Sequence, residues 1–189
     1  MNIIVKPYGS ISCYCRPDTT WERENRDYYV PDCINELHWA PVIFVRISKA
    51  GKCIGEKFAS RYYDAFNFGA MLYCHGGSED NVAFSSCADH SSILPTPLYN
   101  LAVMDNGENS CEIRKKGEII FHTEMKEIEG KALIEEAICR ASKLTSLRIG
   151  DFVAVELAPL SFLAAREEGG TEMTASFCEN DLFDLKLVF

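Results

Sequence analysis

The chain has 189 residues, a formal net charge of −9, 47% hydrophobic residues and 11% aromatic residues. This length fits one domain with a real core, and the apolar content excludes a disordered chain. The negative charge and the scattered Lys and Arg residues exclude binding to a nucleic-acid backbone, which needs clustered cations. No apolar run approaches the ~20 residues of a membrane-spanning helix, so no membrane partner is expected.

Nine cysteines, an odd number, are spread along the chain from Cys13 to Cys178. The first six residues turn polar at once, so we predict no signal peptide and expect a cytoplasmic protein with reduced thiols. One pair and one Cys/His group could be metal ligands, but their spacings do not match known zinc sites. These residues are Cys13 and Cys15, and Cys74, His75, Cys87 and His90.

The first half of the chain predicts strands and one helix. Met1 to Val5 is a β-branched run typical of a strand. Leu37 to Ile47 is the strongest strand candidate, and Pro41 inside it predicts a sheet edge or a bulge, because proline lacks a ladder donor. Gly55 to Phe66 carries aromatic residues at helical spacing, which favours a helix.

The second half begins with the polar stretch Gly76 to Asn81, which predicts a loop. Glu129 to Leu147 has an apolar stripe at helical spacing and predicts the clearest helix of the chain. Four further strands are predicted at Leu98 to Met104, Gly117 to His122, Phe152 to Leu157 and Leu182 to Phe189.

Several short sequence segments, in the same order along the chain, resemble those of a known protein family. They are His38-Trp39, Val45-Arg46-Ile47, Lys49-Ala50-Gly51-Lys52 and Phe58 to Asp64, preceded by Arg16-Pro17-Asp18-Thr19 and followed by Leu147 to Val153 and Leu182 to Leu187. With these segments, the stretch from Pro31 to Cys74 resembles the core of the fumarylacetoacetate hydrolase family. The resemblance implies an α+β, mainly β fold, a rolled mixed β-sandwich with a few peripheral helices, formed by residues 1–189 as a single domain.

In that family a Glu-x-Glu pair and a later Asp hold a divalent metal that polarises an acylpyruvate-like or dicarbonyl substrate. At the corresponding positions this chain has Ala40, Val42 and Met71, the last still 29 residues after Val42. None of these side chains binds a hard cation. The resemblance therefore implies three degenerate ligand positions, and we predict that the family's Mg²⁺ or Mn²⁺ does not bind at the usual site.

Other parts of the family's site are also substituted. The His/Glu lid segment that moves a proton is missing, because residues 6–15 contain neither His nor Glu. The family's substrate-binding Lys falls near Ser86, and its Thr-Gly-Thr-Pro turn is replaced around Glu156 and Leu157. These three residues are therefore degenerate substrate-site positions.

Three functions stay open at this point. The first is a non-catalytic relative with a structural, regulatory or small-ligand-binding role. The second is a hydrolase or decarboxylase for acylpyruvate or dicarbonyl substrates with relocated catalytic residues, for which His75, His90, Cys74 and Cys87 are the candidates. The third is an unrelated β-rich binding protein. The partners that we expect are a second copy of the chain in a homodimer, a small-molecule ligand, or an intact relative from the same family.

Overall fold

The computed structural model describes residues 1–76 and 82–189. The chain is built mainly of strands. In chain order they are β1 (Ile3–Lys6), β2 (Tyr14–Arg16), β3 (Trp21–Glu22), β4 (Tyr28–Tyr29), β5 (Glu36–Ile47), β6 (Tyr63–His75), β7 (Ser92–Ile93), β8 (Tyr99–Asn100), β9 (Ser110–Lys115), β10 (Glu118–Glu124), β11 (Phe152–Glu156), β12 (Ser161–Ala165), β13 (Thr171–Phe177) and β14 (Asn180–Val188).

The helices are few and lie outside the sheets. α1 (Val82–Ser85) is a single turn, and α2 (Gly130–Leu144) is the long helix. The described residues also include four short 3₁₀ segments, at Asp18–Thr20, Glu56–Arg61, Leu101–Asp105 and Arg166–Glu168. No helix within residues 1–76 and 82–189 is long and apolar enough to cross a membrane.

The strands form two sheets. The larger sheet has the order β2-β1-β11-β5-β6-β7-β3, with β12 also paired to β5 and β8 to β6. The smaller sheet has the order β10-β9-β13-β14-β4. Most neighbours are antiparallel, while β1 pairs with β11, β3 with β7 and β14 with β4 in parallel. This mixture confirms the predicted mainly β, mixed-sheet fold.

The large sheet is buried on both faces. One face packs against the small sheet and α2, whose residues Ile134, Ala137 and Ile138 belong to the main apolar core. The other face carries a second apolar cluster. Because side chains alternate along a strand, neighbouring core residues of β5 belong to different clusters: Trp39 lies in the main core and Ala40 in the second cluster. Burial of both faces also explains why β5 and β6 read as nearly continuous apolar runs.

The predicted strands at residues 1–5, 37–47, 117–122, 152–157 and 182–189 are confirmed, and so is the helix over residues 129–147. The loop predicted for Gly76 to Asn81 falls almost entirely outside the described residues. The helix predicted at residues 55–66 was wrong, the strand predicted at residues 98–104 was too long, and the sheet edge predicted at Pro41 was wrong.

The helix predicted for Gly55 to Phe66 was wrong. Glu56–Arg61 is a 3₁₀ segment, and Phe66 lies in β6, directly opposite Val45 of β5. Aromatic spacing cannot distinguish a helix from a strand that is buried on both faces. The strand predicted for Leu98 to Met104 is also shorter, because the Asn100 side chain accepts a hydrogen bond from the Ala102 N–H at 2.9 Å and caps a 3₁₀ segment.

Pro41 does not mark a sheet edge, because β5 is paired on both sides. The Pro41 carbonyl accepts a hydrogen bond from the Leu157 N–H at 2.9 Å, so its ring nitrogen faces the same side. On that side, the pairing of β11 with β5 ends at Val42, and the pairing of β12 with β5 starts at Trp39. The missing donor therefore lies in a gap between two neighbours, where no ladder bond is lost.

Candidate functional site

Ala40, Val42 and Met71 lie together on the second apolar face of the large sheet. Ala40 and Val42 point to this face because they are two residues apart in β5, and Met71 of β6 is directly opposite Ala40. All three side chains have no solvent exposure. They pack in one cluster with Ile3, Val5, Phe44, Tyr73, Leu94, Phe152 and Ala154. A thioether and aliphatic groups in this arrangement offer no oxygen ligand to Mg²⁺ or Mn²⁺.

A buried polar network borders this cluster. Glu156 of β11 is opposite Val42 and is 6% exposed. The Tyr73 hydroxyl donates to Oε1 of Glu156, and the Tyr8 N–H donates to Oε2 at 3.0 Å. Since the Tyr73 proton is used in this way, the Tyr14 hydroxyl donates to the Tyr73 hydroxyl at 2.6 Å. The Glu156 carboxylate, which borders the apolar cluster, is therefore already engaged by protein donors.

Arg16 ends this chain of hydrogen bonds and is 1% exposed. Its Nε donates to the Tyr14 hydroxyl at 3.3 Å, and its Nη1 donates to the Leu72 carbonyl at 3.0 Å. The guanidinium lies 4.4 Å from the centre of the Tyr73 ring, a cation–π contact. Within the part of the chain that is described, its Nη2 has no hydrogen-bond partner. Burial raises the pKa of both Tyr73 and Tyr14, which keeps these phenols neutral as donors.

We expect Tyr73→Phe to destabilise the protein by about 1–3 kcal/mol, because the buried Glu156 oxygen and the Tyr14 hydroxyl both lose a partner. The measurement is the free energy of unfolding in urea. Tyr29→Phe is the matched control, since Tyr29 is 72% exposed and should change stability by less than about 0.5 kcal/mol. Equal stability of the two variants would show that the network contributes nothing.

The two candidate thiols have partners other than histidine. Cys74 is buried, and its sulfur lies 3.4 Å from the Tyr28 hydroxyl in the main core. Burial raises the pKa of the Cys74 thiol, which disfavours the nucleophilic thiolate. Cys87 is exposed, and its sulfur donates to the Ala83 carbonyl at 2.7 Å. A Cys–His dyad would need a sulfur–nitrogen contact of about 3 Å instead.

The two candidate histidines lie in different surroundings. His75 follows Cys74 in β6 and so points to the opposite face, where its ring centre is 4.4 Å from that of His38. His90 lies in the loop before β7, and its Nδ1 is 2.9 Å from Oε2 of Glu22. The structure therefore places His90 beside Glu22, a carboxylate that the sequence did not indicate as a candidate.

The positions that the resemblance implies to be degenerate substrate-site positions make contacts within the protein. Ser86 is buried, and its hydroxyl donates to the Ala83 carbonyl at 3.4 Å. Leu157 is partly buried, and its N–H is the donor to Pro41. In the described part of the chain, no three His, Cys, Asp or Glu side chains are grouped so that they could hold a metal ion.

Sequence reasoning missed Tyr73, Tyr14 and Glu22. Tyr73 could have been found, because it follows Met71 by two residues in a strand and must share its face. Tyr14 and Glu22 carry no comparable signal, since each meets a partner that is distant in the sequence: Tyr14 is 59 residues from Tyr73, and Glu22 is 68 residues from His90.

Comparisons with known proteins agree with this architecture. No family model matches the chain, and no curated protein matches its sequence. Solved structures do match. A protein assigned to the fumarylacetoacetate hydrolase family from Yersinia pestis CO92 has a TM-score of 0.78 and 12% identity over 99% of this chain and 92% of its own.

Two enzymes have the same fold. Fumarylpyruvate hydrolase from Pseudomonas aeruginosa, solved with Mn²⁺ and pyruvate, has a TM-score of 0.78 and 13% identity over 100% of this chain and 90% of its own. The 5-carboxymethyl-2-hydroxymuconate delta-isomerase from Mycobacterium smegmatis has a TM-score of 0.77 and 11% identity over 99% of this chain and 78% of its own. At these identities, the likeness shows the fold.

Proposed function

The chain has the fold of fumarylacetoacetate hydrolase family proteins, and we propose that it no longer carries out metal-dependent chemistry on acylpyruvates. In this proposal the fold serves a structural, regulatory or small-ligand-binding role. One observation carries the proposal: Met71 faces Ala40, beside Val42, in a cluster with no solvent exposure. These are the positions at which the resemblance expects the metal ligands.

The chemistry of this face supports the proposal. Mg²⁺ and Mn²⁺ take oxygen ligands, and most sites supply them from several carboxylates and waters. The Glu156 carboxylate borders the cluster, and its two oxygens accept hydrogen bonds from Tyr73 and Tyr8. To serve a metal, Glu156 would have to give up both bonds, and Met71 would have to leave a packed core, which costs about 2–5 kcal/mol for a Met.

The test is metal binding and turnover by the purified protein. We expect substoichiometric Mn²⁺ after equilibration and dialysis, measured by plasma mass spectrometry, and no turnover of fumarylpyruvate above buffer. The fumarylpyruvate hydrolase from Pseudomonas aeruginosa, treated identically, is the positive control. One bound Mn²⁺ per chain together with turnover would refute the proposal.

A further inference from the structure

Glu22 and His90 form a carboxylate–imidazole pair that lies away from the apolar face. Trp21 packs in the second apolar cluster, so its successor Glu22 points to the other face of the large sheet. Glu22 is 5% exposed. Its Oε1 accepts the Glu24 N–H at 2.7 Å and the Arg26 N–H at 3.5 Å, while its Oε2 is 2.9 Å from Nδ1 of His90. The carboxylate is therefore held rigidly by the backbone.

His90 lines a cleft. The His90 side chain is 56% exposed, although its Nδ1 is engaged by Glu22. Its backbone is anchored by a hydrogen bond from its N–H to the Thr19 carbonyl at 3.1 Å, and it has a φ of 60°, a strained conformation for a residue other than glycine. Two adjoining cavities, of about 560 and 750 Å³, share Glu22, Arg26, Asp89 and His90 as lining residues. These volumes suit a small ligand.

We propose that His90 is a general base in this cleft and that Glu22 is its positioning residue. A buried carboxylate that accepts Nδ1–H fixes the tautomer with a free lone pair on Nε2, and it stabilises the imidazolium after proton transfer. The pair supplies a general base and the carboxylate that orients it, as in a hydrolytic site. The nucleophile would be water. The site needs no metal and does not involve the apolar face, so the inference adds a hydrolytic activity beyond the role given in the proposed function.

The reaction class is hydrolysis of a small ester. Water attacks the acyl carbon, and one water proton passes to Nε2 of His90 as the C–O bond to the leaving group breaks. The proton then passes to the leaving group or to solvent, so that an acid and an alcohol are released. The ester should be neutral or cationic, because five carboxylates and two guanidinium groups line the two cavities: Asp18, Glu22, Glu24, Asp27 and Asp89, against Arg23 and Arg26.

The test uses p-nitrophenyl acetate with the full chain. We expect saturable hydrolysis above buffer, and His90→Gln should lower kcat at least ~100-fold, as for the loss of a general base. His122→Gln is the matched control, because His122 also has Nδ1 against a carboxylate, at 3.5 Å from Glu112, but lies on the outer strand β10. This control should keep the wild-type rate.

Glu22→Gln separates positioning from folding. The amide nitrogen would face Nδ1 as a donor, so the imidazole would move its proton to Nε2 and lose the base in the cleft. We therefore expect kcat to fall while KM stays constant, whereas a distorted cleft would raise KM.

A neutral ester should also be turned over faster than anionic mono-p-nitrophenyl succinate. No hydrolysis above buffer, an unchanged rate for His90→Gln, or an equal loss for His122→Gln would overturn the proposal.

Discussion

Met71→Asp, which introduces the ligand type that the resemblance expects at this position, should unfold the protein or come close to it. Met71 has no solvent exposure and packs in an apolar cluster. An ionised carboxylate there would have no partner, and burying an unpaired charge costs at least ~4 kcal/mol. The whole free energy of unfolding of a domain is only about 5–15 kcal/mol. Urea unfolding followed by circular dichroism measures the loss.

Met71→Leu is the control for this substitution. It conserves volume and adds no polar atom, so its cost should stay below about 1.5 kcal/mol. If Met71→Asp were as stable as Met71→Leu, the cluster would have to admit water or a cation. Stabilisation of Met71→Asp by Mn²⁺ would show that a metal site survives on this face, contrary to the proposed function.

Phe177→Ala should cost about 3–5 kcal/mol, because it removes the centre of an aromatic cluster between the two sheets. Phe177 has no solvent exposure and belongs to the small sheet. Its ring centre lies 4.9 Å from that of Phe68, 5.0 Å from that of Tyr99 and 5.8 Å from that of Phe66. For a chain of this length, such a loss lowers Tm by roughly 6–20 °C, which calorimetry would detect.

Phe162→Ala is the matched control for the aromatic cluster. Phe162 is 45% exposed and meets the His38 ring edge-on at 5.9 Å. Its truncation should lower Tm far less than that of Phe177. Comparable losses in the two variants would mean that packing between the sheets is not what stabilises this fold.

The strands that form the apolar face could be predicted because their amino-acid composition favours strands. Leu37 to Ile47 and Phe152 to Leu157 are rich in β-branched and aromatic residues, which favour strands in most contexts. Residues 55–66 could not be predicted in this way. Phe58 and Phe66 suit one face of a helix, yet Phe58 is 40% exposed and Phe66 is buried in β6. The pairing of β6 with β5 in the tertiary structure determined that Phe66 lies in a strand.

By itself, the sequence determined the mainly β composition, the long helix and the absence of carboxylates at positions 40, 42 and 71, because these depend on residue type and local spacing. Only the tertiary structure decided which polar groups meet. Tyr73 and Glu156 are 83 residues apart, and Glu22 and His90 are 68 apart. Such contacts depend on the pairing of β5 with β6 and β11, and of β3 with β7. No local pattern encodes that register, because it is set by which faces are buried against each other.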